Sequence, residues 1–399
     1  MEGKLDSTVI IIAACTVVVL SYIFSIISLR FRIPSVLLLL ATGIGLRYAE
    51  GYFNFHIDVP RSIVESIGTV GLIMIVLEAG LDLKLSRDKV PVIRNAFLSA
   101  LLIFLVTAVL IAGFIYYRLQ EPFLNSLVYA IPLSIMSSSI VLPSINHLND
   151  EKKEFLIYEA SLSDIIGIIF FNYIVAGEVF SFVSIGLFAG NLILSIILSL
   201  AVSLLLFYML LRAKVNIRFF LVFALLILLY TIGKMLHLPS LIIILMFGLL
   251  INNWQLINLR WLNVFSKEEI EQTTQNLHSI TAESSFLIRT FFFLLFGYSI
   301  DLQLLTDIDV IVSGTAIVAI LILIRFIFLK LLLKSNILAE LFFIPRGLIT
   351  ILLFYKIPEN LKLESFNEGI LFFVVLATGI IMMLGTLFIK GVEPQTEEI

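Results

Sequence analysis

Thirteen apolar runs follow one another along this chain, at about 8–29, 33–49, 62–80, 92–117, 123–147, 154–177, 183–211, 217–233, 238–254, 281–300, 307–330, 335–356 and 366–390. A helix of roughly 20 apolar residues crosses a bilayer, and no backbone other than a helix or a closed barrel can do so with its polar groups satisfied. The expected fold is therefore an all-α polytopic membrane protein of about 13 transmembrane helices. Charged residues make up only 14% of the 399, against about 25% in soluble domains, which supports the same class. The first run is too long for a signal-peptide core and reads as a retained helix. A net charge of −3 gives no reason to expect nucleic acid. The lone Cys15, in an apolar helix, excludes a disulfide framework or cysteine metal cluster.

The run at 154–177, EFLIYEASLSDIIGIIFFNYIVAG, is the most informative, because it carries Glu159 and Asp164 inside an apolar helix. At 1.5 Å per residue, Asp164 lies about 15 Å from the Lys152/Lys153 end, near the middle of a ~30 Å hydrocarbon core. An ionisable group at that depth marks a transport pathway by default, although a neutral acid cementing two helices is the alternative. A carboxylate deprived of water is neutralised by a proton or by a cation. It is thus the candidate site at which the two compete.

Two other runs are interrupted. IPLSIMSSSIVLPSI (131–145) holds Pro132, Pro143 and the serines 137–139; AELFFIPRGLITILLF (339–354) holds Pro345-Arg346-Gly347. Proline removes a donor and clashes with the preceding turn, so each span should unwind within the membrane. The segments LDLKLSRD (81–88) and IDLQLLTD (300–307) match at Asp82/Asp301, Leu83/Leu302, Leu85/Leu304 and Asp88/Asp307, and each precedes a broken run by two spans. The expectation is an inverted repeat with two crossed discontinuous helices, whose freed carbonyls and half-helix ends offer sites for a small cation. Ser163 and the serines Ser137, Ser138 and Ser139 would then supply oxygen ligands beside Asp164, suiting a hard ion. Serines that only pack helices are the alternative.

Sixteen of the 26 lysines and arginines fall in loops after odd-numbered spans or in the tail, seven on the opposite side, and Arg289, Arg325 and Arg346 lie within spans. Positive residues favour the cytoplasm, so the N-terminus is expected outside and the C-terminus inside a cell membrane. Gln255–Ile280 reads as a surface helix or linker, and the nine-residue tail leaves any regulatory domain to another chain. Glu78 and Asp82, four apart on one helical face, are either a cation-attracting funnel or interfacial polar residues. His56, His147, His237 and His278 sit at span ends or in loops and are expected to be solvated, with His147 a candidate pH sensor. Ala41-Thr42-Gly43-Ile44-Gly45 permits close helix approach.

Three motifs, in order, resemble the monovalent cation:proton antiporters of the sodium/hydrogen exchanger type across nearly the whole chain. Leu77-Glu78-Ala79-Gly80-Leu81 is similar to their F-E-A-G-L, Glu159-Ala160-Ser161-Leu162-Ser163-Asp164 to E-S-L-L-N-D, and Arg346-Gly347-Leu348-Ile349-Thr350 with Pro358 to R-G-A-V-S…P. The resemblance implies a homodimer whose protomers each have a dimerisation scaffold and a mobile core, moving as an elevator. It implies scaffold at 1–91 and 217–280 with 281–306, core at 92–180 and 307–390, a linking span at 181–216 and a short tail at 391–399. It places the transport aspartate on Asp164 and the buried ion pair on Glu159 and Arg346. Depth alone leaves Arg325 as a rival partner for Glu159.

Two positions depart from the family pattern. Ser163 stands where Asn or Asp is usual, and Ser137-Ser138-Ser139-Ile140 lacks the acid of T-D-P, looking more like the S-S-T of the potassium-efflux branch. The expected activity is exchange of Na⁺ (or K⁺ or Li⁺) for H⁺, electroneutral if Asp164 alone titrates, with no cofactor. A potassium efflux pathway or an ion-coupled symporter on the same fold is the alternative. Motifs of intramembrane or serine and zinc hydrolases are missing, which argues against an enzyme.

Overall fold

A computed structural model describes residues 7–31, 33–53, 61–145, 147–175, 182–212, 218–235, 241–256, 265–333 and 337–388. Lys4, Arg32, Lys214, Arg260, Lys334 and Lys390 of the charge comparison lie outside these residues, as do His56, His237 and the tail 391–399. Each apolar run is helical over most of its described part, and the described residues form fifteen α-helices. These are α1 (Ser7–Phe31), α2 (Ser35–Phe53), α3 (Arg61–Asp82), α4 (Val90–Leu119), α5 (Phe123–Ser134), α6 (Ser138–Ser144), α7 (Asp150–Val175) and α8 (Phe182–Arg212). They continue with α9 (Arg218–Met235), α10 (Leu241–Asn252), α11 (Lys267–Ser299), α12 (Ile308–Leu332), α13 (Leu338–Phe342), α14 (Leu348–Tyr355) and α15 (Gly369–Phe388). Thirteen runs give fifteen helices because two runs are each split in two.

The helices pack in two groups. In the first, α4 lies against α5, α7 and α12, α7 against α5 and α6, and α15 against α12 and α13. In the second, α11 lies against α2 and α3, and α10 against α3 and α8. The groups meet chiefly where α14 rests on α3 and α5. Small residues set the closest approach in the second group. A Cβ on Gly43 would come within 2.2 Å of the Leu294 carbonyl, and one on Gly297 within 2.4 Å of the Leu40 carbonyl, so α2 and α11 touch backbone to backbone. The glycine-bearing stretch at 41–45 thus does permit close helix approach, through Gly43; Gly45 faces open space.

One expectation is corrected. Residues 267–280 are not a separate surface helix or linker but the N-terminal part of α11, which runs unbroken to Ser299. Ser266 caps it by accepting from the Glu269 amide at 3.1 Å, Glu268 and Glu269 complement the dipole in its first turn, and no proline or glycine interrupts it before Gly297. Ile270, Thr273, Thr274, Leu277 and Thr281 recur at helical spacing and are buried, so the polar first half still has a core-facing stripe.

Candidate functional site

Both broken spans unwind where the sequence predicts. In the first, α5 carries Pro132 in its last turn and stops at Ser134; Ile135 to Ser137 are extended, and α6 starts at Ser138. In the second, Phe343 to Gly347 separate α13 from α14. The two breaks touch. The Ser137 amide donates to the Pro345 carbonyl at 3.0 Å, and a Cβ on residue 347 would lie 2.5 Å from Ser137 Oγ, so only glycine allows this approach.

Asp164, on α7, is 3% exposed and points at this crossing. Its Oδ2 accepts from the Ser138 amide at 3.1 Å, the first N–H of α6, and from the Ser138 hydroxyl. A helix N-terminus carries partial positive charge, so α6 favours the ionised carboxylate as well as orienting it. Its Oδ1 is buried and has no hydrogen-bond partner. Ser163 Oγ accepts from the Met136 amide at 3.0 Å, and Ser137 and Ser139 bond each other at 2.9 Å. Of the serines expected beside Asp164, Ser138 is the one that hydrogen-bonds to it.

The ion pair expected between Glu159 and Arg346 is not formed. Glu159 is gripped by Arg325, Nη1 to Oε1 at 3.1 Å and Nη2 to Oε2 at 2.8 Å, and accepts from Ser99 Oγ at 2.5 Å. The rival partner suggested by depth is the one the fold uses. Arg346 is occupied elsewhere. Its Nε donates to Leu133 O at 2.7 Å, Nη1 to Ile344 O at 2.7 Å and Nη2 to Ser134 O at 3.2 Å. The break of α5 leaves its last carbonyls without helical partners, and a fully buried guanidinium satisfies them. A cavity of about 20 Å³, room for one water, lies among Glu159, Ser163, Arg325 and Arg346.

From Arg325 the polar chain continues outward. Arg325 Nε donates to the Glu340 carbonyl at 2.8 Å, and the buried Glu340 carboxylate pairs with Lys152 Nζ at 2.9 Å. Nearby at the start of α4, the hydrogen bond from Lys89 to Glu154 raises the Lys89 ammonium above its ordinary range. Sequence reading missed Ser99, Glu340 and Lys152 as members of this network. An acid inside the apolar run 335–356 was the one available signal.

Glu78 does not join Asp164. It pairs with Arg289 at 3.3 Å in the seam between α3 and α11, and one turn on, Asp82 and His278 bond at 2.8 Å. His278 lies in α11 rather than in a loop, and its ring, 43% exposed, bonds Asp82 at the end of α3. His147 stacks on Phe343, centroids 6.5 Å apart.

The transmembrane sodium/hydrogen exchanger family matches residues 15–392. A solved structure of the sodium proton antiporter MjNhaP1 from Methanocaldococcus jannaschii at pH 8 superposes with a TM-score of 0.66, at 20% identity over 94% of both chains. An electron-microscopy structure of the same antiporter gives 0.65 at 18% identity, covering 96% of this chain and 95% of that one. No curated protein matches in sequence. The structural likeness establishes a shared fold, and the family match extends over nearly the whole chain: this multi-pass membrane protein belongs to the sodium/hydrogen exchanger family, transporters rather than enzymes.

Proposed function

We propose that the chain exchanges Na⁺ for H⁺, with Asp164 as the single site that holds either ion but never both. The carrying observation is the asymmetry of its carboxylate. One oxygen is held by Ser138 at the crossing of two broken helices, and the other is buried and uncommitted. A proton or a desolvated cation satisfies that oxygen, and each excludes the other. Glu159, locked in a two-point grip by Arg325, has a structural task. One titrating carboxylate exchanges one cation for one proton, so the cycle is electroneutral.

The two packing groups support a mobile core of 92–180 with 307–390 and a scaffold of 1–91 with 217–306, joined by the span at 181–216. The core carries both breaks and Asp164 and slides against the scaffold, taking the site from one face to the other. The repeated segments at 81–88 and 300–307 follow α3 and α11 and fit an inverted repeat. The basic loops favour an external N-terminus and a cytoplasmic C-terminus. Pairing of two protomers through the scaffold follows from the family resemblance.

A serine-rich break in place of an acid favours K⁺ as the second candidate ion. Proteoliposomes with Na⁺, K⁺ and Li⁺ gradients discriminate. Wild type should alkalinise or acidify the lumen with Na⁺ independently of a membrane potential, and Asp164→Asn should do neither while eluting as a folded protein. Exchange persisting in Asp164→Asn, or current driven by a pH gradient, would refute this assignment.

A further inference from the structure

We propose that Ser161 is a ligand of the transported cation and sets its affinity, an inference that rests on Asp164 being the exchange site. Ser161 precedes Asp164 by three residues on α7, so the two side chains lie on one face about 5–6 Å apart at Cβ. Ser161 is fully buried, and its Oγ has no hydrogen-bond partner, the same condition as Asp164 Oδ1. Two unsatisfied oxygens one turn apart inside a membrane helix call for a third body.

Several buried hydroxyls return their proton to the carbonyl one turn back, whereas Ser161, like Thr107, Thr281 and Thr350, does not. Ser134 returns its proton to Ala130 O at 2.8 Å, Thr274 to Ile270 O at 2.9 Å and Thr378 to Val374 O at 2.7 Å. Ser161 has the Ile157 carbonyl at the same spacing and makes no such bond. The other hydroxyls near Asp164 are committed. Ser138 donates to Oδ2, Ser137 and Ser139 bond each other, and Ser163 accepts from Met136 N. That leaves Ser161 as the neighbouring hydroxyl on α7 whose lone pairs and proton are all uncommitted.

The chemistry suits the cargo. A small monovalent cation is hard and takes oxygen ligands, and a hydroxyl binds it through a lone pair without losing its proton. Asp164 Oδ1 supplies the charge and Ser161 Oγ a neutral ligand. Placement adds to the argument. Ser161 lies one turn from Asp164 toward the Lys152 end, on the side of α7 where Tyr158, three residues before it, reaches the Lys84 carbonyl at the end of α3.

The test is cation-dependent exchange in proteoliposomes for Ser161→Ala, Ser161→Cys and Ser161→Thr, with Asp164→Asn beside them. Loss of one ligand to a charged species should raise the apparent KM for Na⁺ and Li⁺ by about tenfold or more in Ser161→Ala, with kcat within about twofold. Ser161→Cys keeps the shape but offers a soft sulfur, so it should show the same rise even if Ser161→Ala fails to fold. Ser161→Thr retains the hydroxyl and should stay near wild type. A purely structural role would instead shift Tm without cation and lower kcat, leaving KM alone. Wild-type KM in Ser161→Ala or Ser161→Cys, with Asp164→Asn inactive, overturns the ligand role and leaves the exchange reading standing. Activity in Asp164→Asn overturns the exchange reading itself.

Discussion

At the scale of single residues, the heart of the core holds two buried guanidiniums with different work. Arg325 neutralises Glu159, and Arg346 closes the carbonyls freed by a broken helix. Removing one member of a buried pair leaves an uncompensated ion and costs about 3–5 kcal/mol. Glu159→Gln should therefore lower the detergent-solubilised melting temperature strongly. Combined with Arg325→Gln it should show a coupling energy above about 0.5 kcal/mol, whereas Glu159→Gln with Arg346→Gln should be closer to additive. Equal coupling for both pairs would contradict the division of labour. The family resemblance pointed to Arg346 and depth kept Arg325 as the rival; the fold pairs Glu159 with Arg325. Arg346 is drawn off by the Leu133, Ser134 and Ile344 carbonyls, a demand that arises only once the backbone has unwound. Ser99 was hidden because a serine in an apolar span looks the same whether it holds a carboxylate or merely packs.

At the scale of helices, the breaks were legible because proline leaves a covalent signature: Pro132 and Pro345 lack donors wherever they sit. The length of α11 was not. Its N-terminal part is rich in Glu, Gln, Thr and Asn, which reads as surface, and only the cap at Ser266 and the buried stripe from Ile270 to Thr281 show one continuous rod. Contacts between rods were partly legible through small residues. Gly43→Ala and Gly297→Ala would drive a methyl into a facing backbone carbonyl and should each destabilise by about 1–3 kcal/mol in thermal melts. Gly45→Ala, with nothing within 4 Å, should be tolerated, so equal melting of all three would show that α2 and α11 are not in backbone contact.

At the scale of the whole molecule, the succession of apolar helices was readable because hydrocarbon thickness demands long apolar runs. Their grouping was not, since helices apolar all round carry no stripe that names a neighbour, and only the family resemblance suggested it. The seam between the groups offers a direct test of sliding. A Cβ on Gly71 of α3 would lie 3.8 Å from Leu348 Cδ1 of α14. In a background with Cys15→Ser, cysteines at 71 and 348 joined by a short thiol-reactive linker should stop exchange, and a cleavable linker should let reductant restore it. Undiminished flux through the joined protein would rule out relative movement along this seam.

The hydrogen bond between the Ser137 amide and the Pro345 carbonyl ties the two broken spans together where they cross. Under the proposed sliding of the core the two anchored segments travel together, and the nest around the carboxylate keeps its shape at both faces. An ion arriving from either side then meets the same cradle. At matched pH, binding measured in right-side-out and inside-out vesicles should return one affinity, not two.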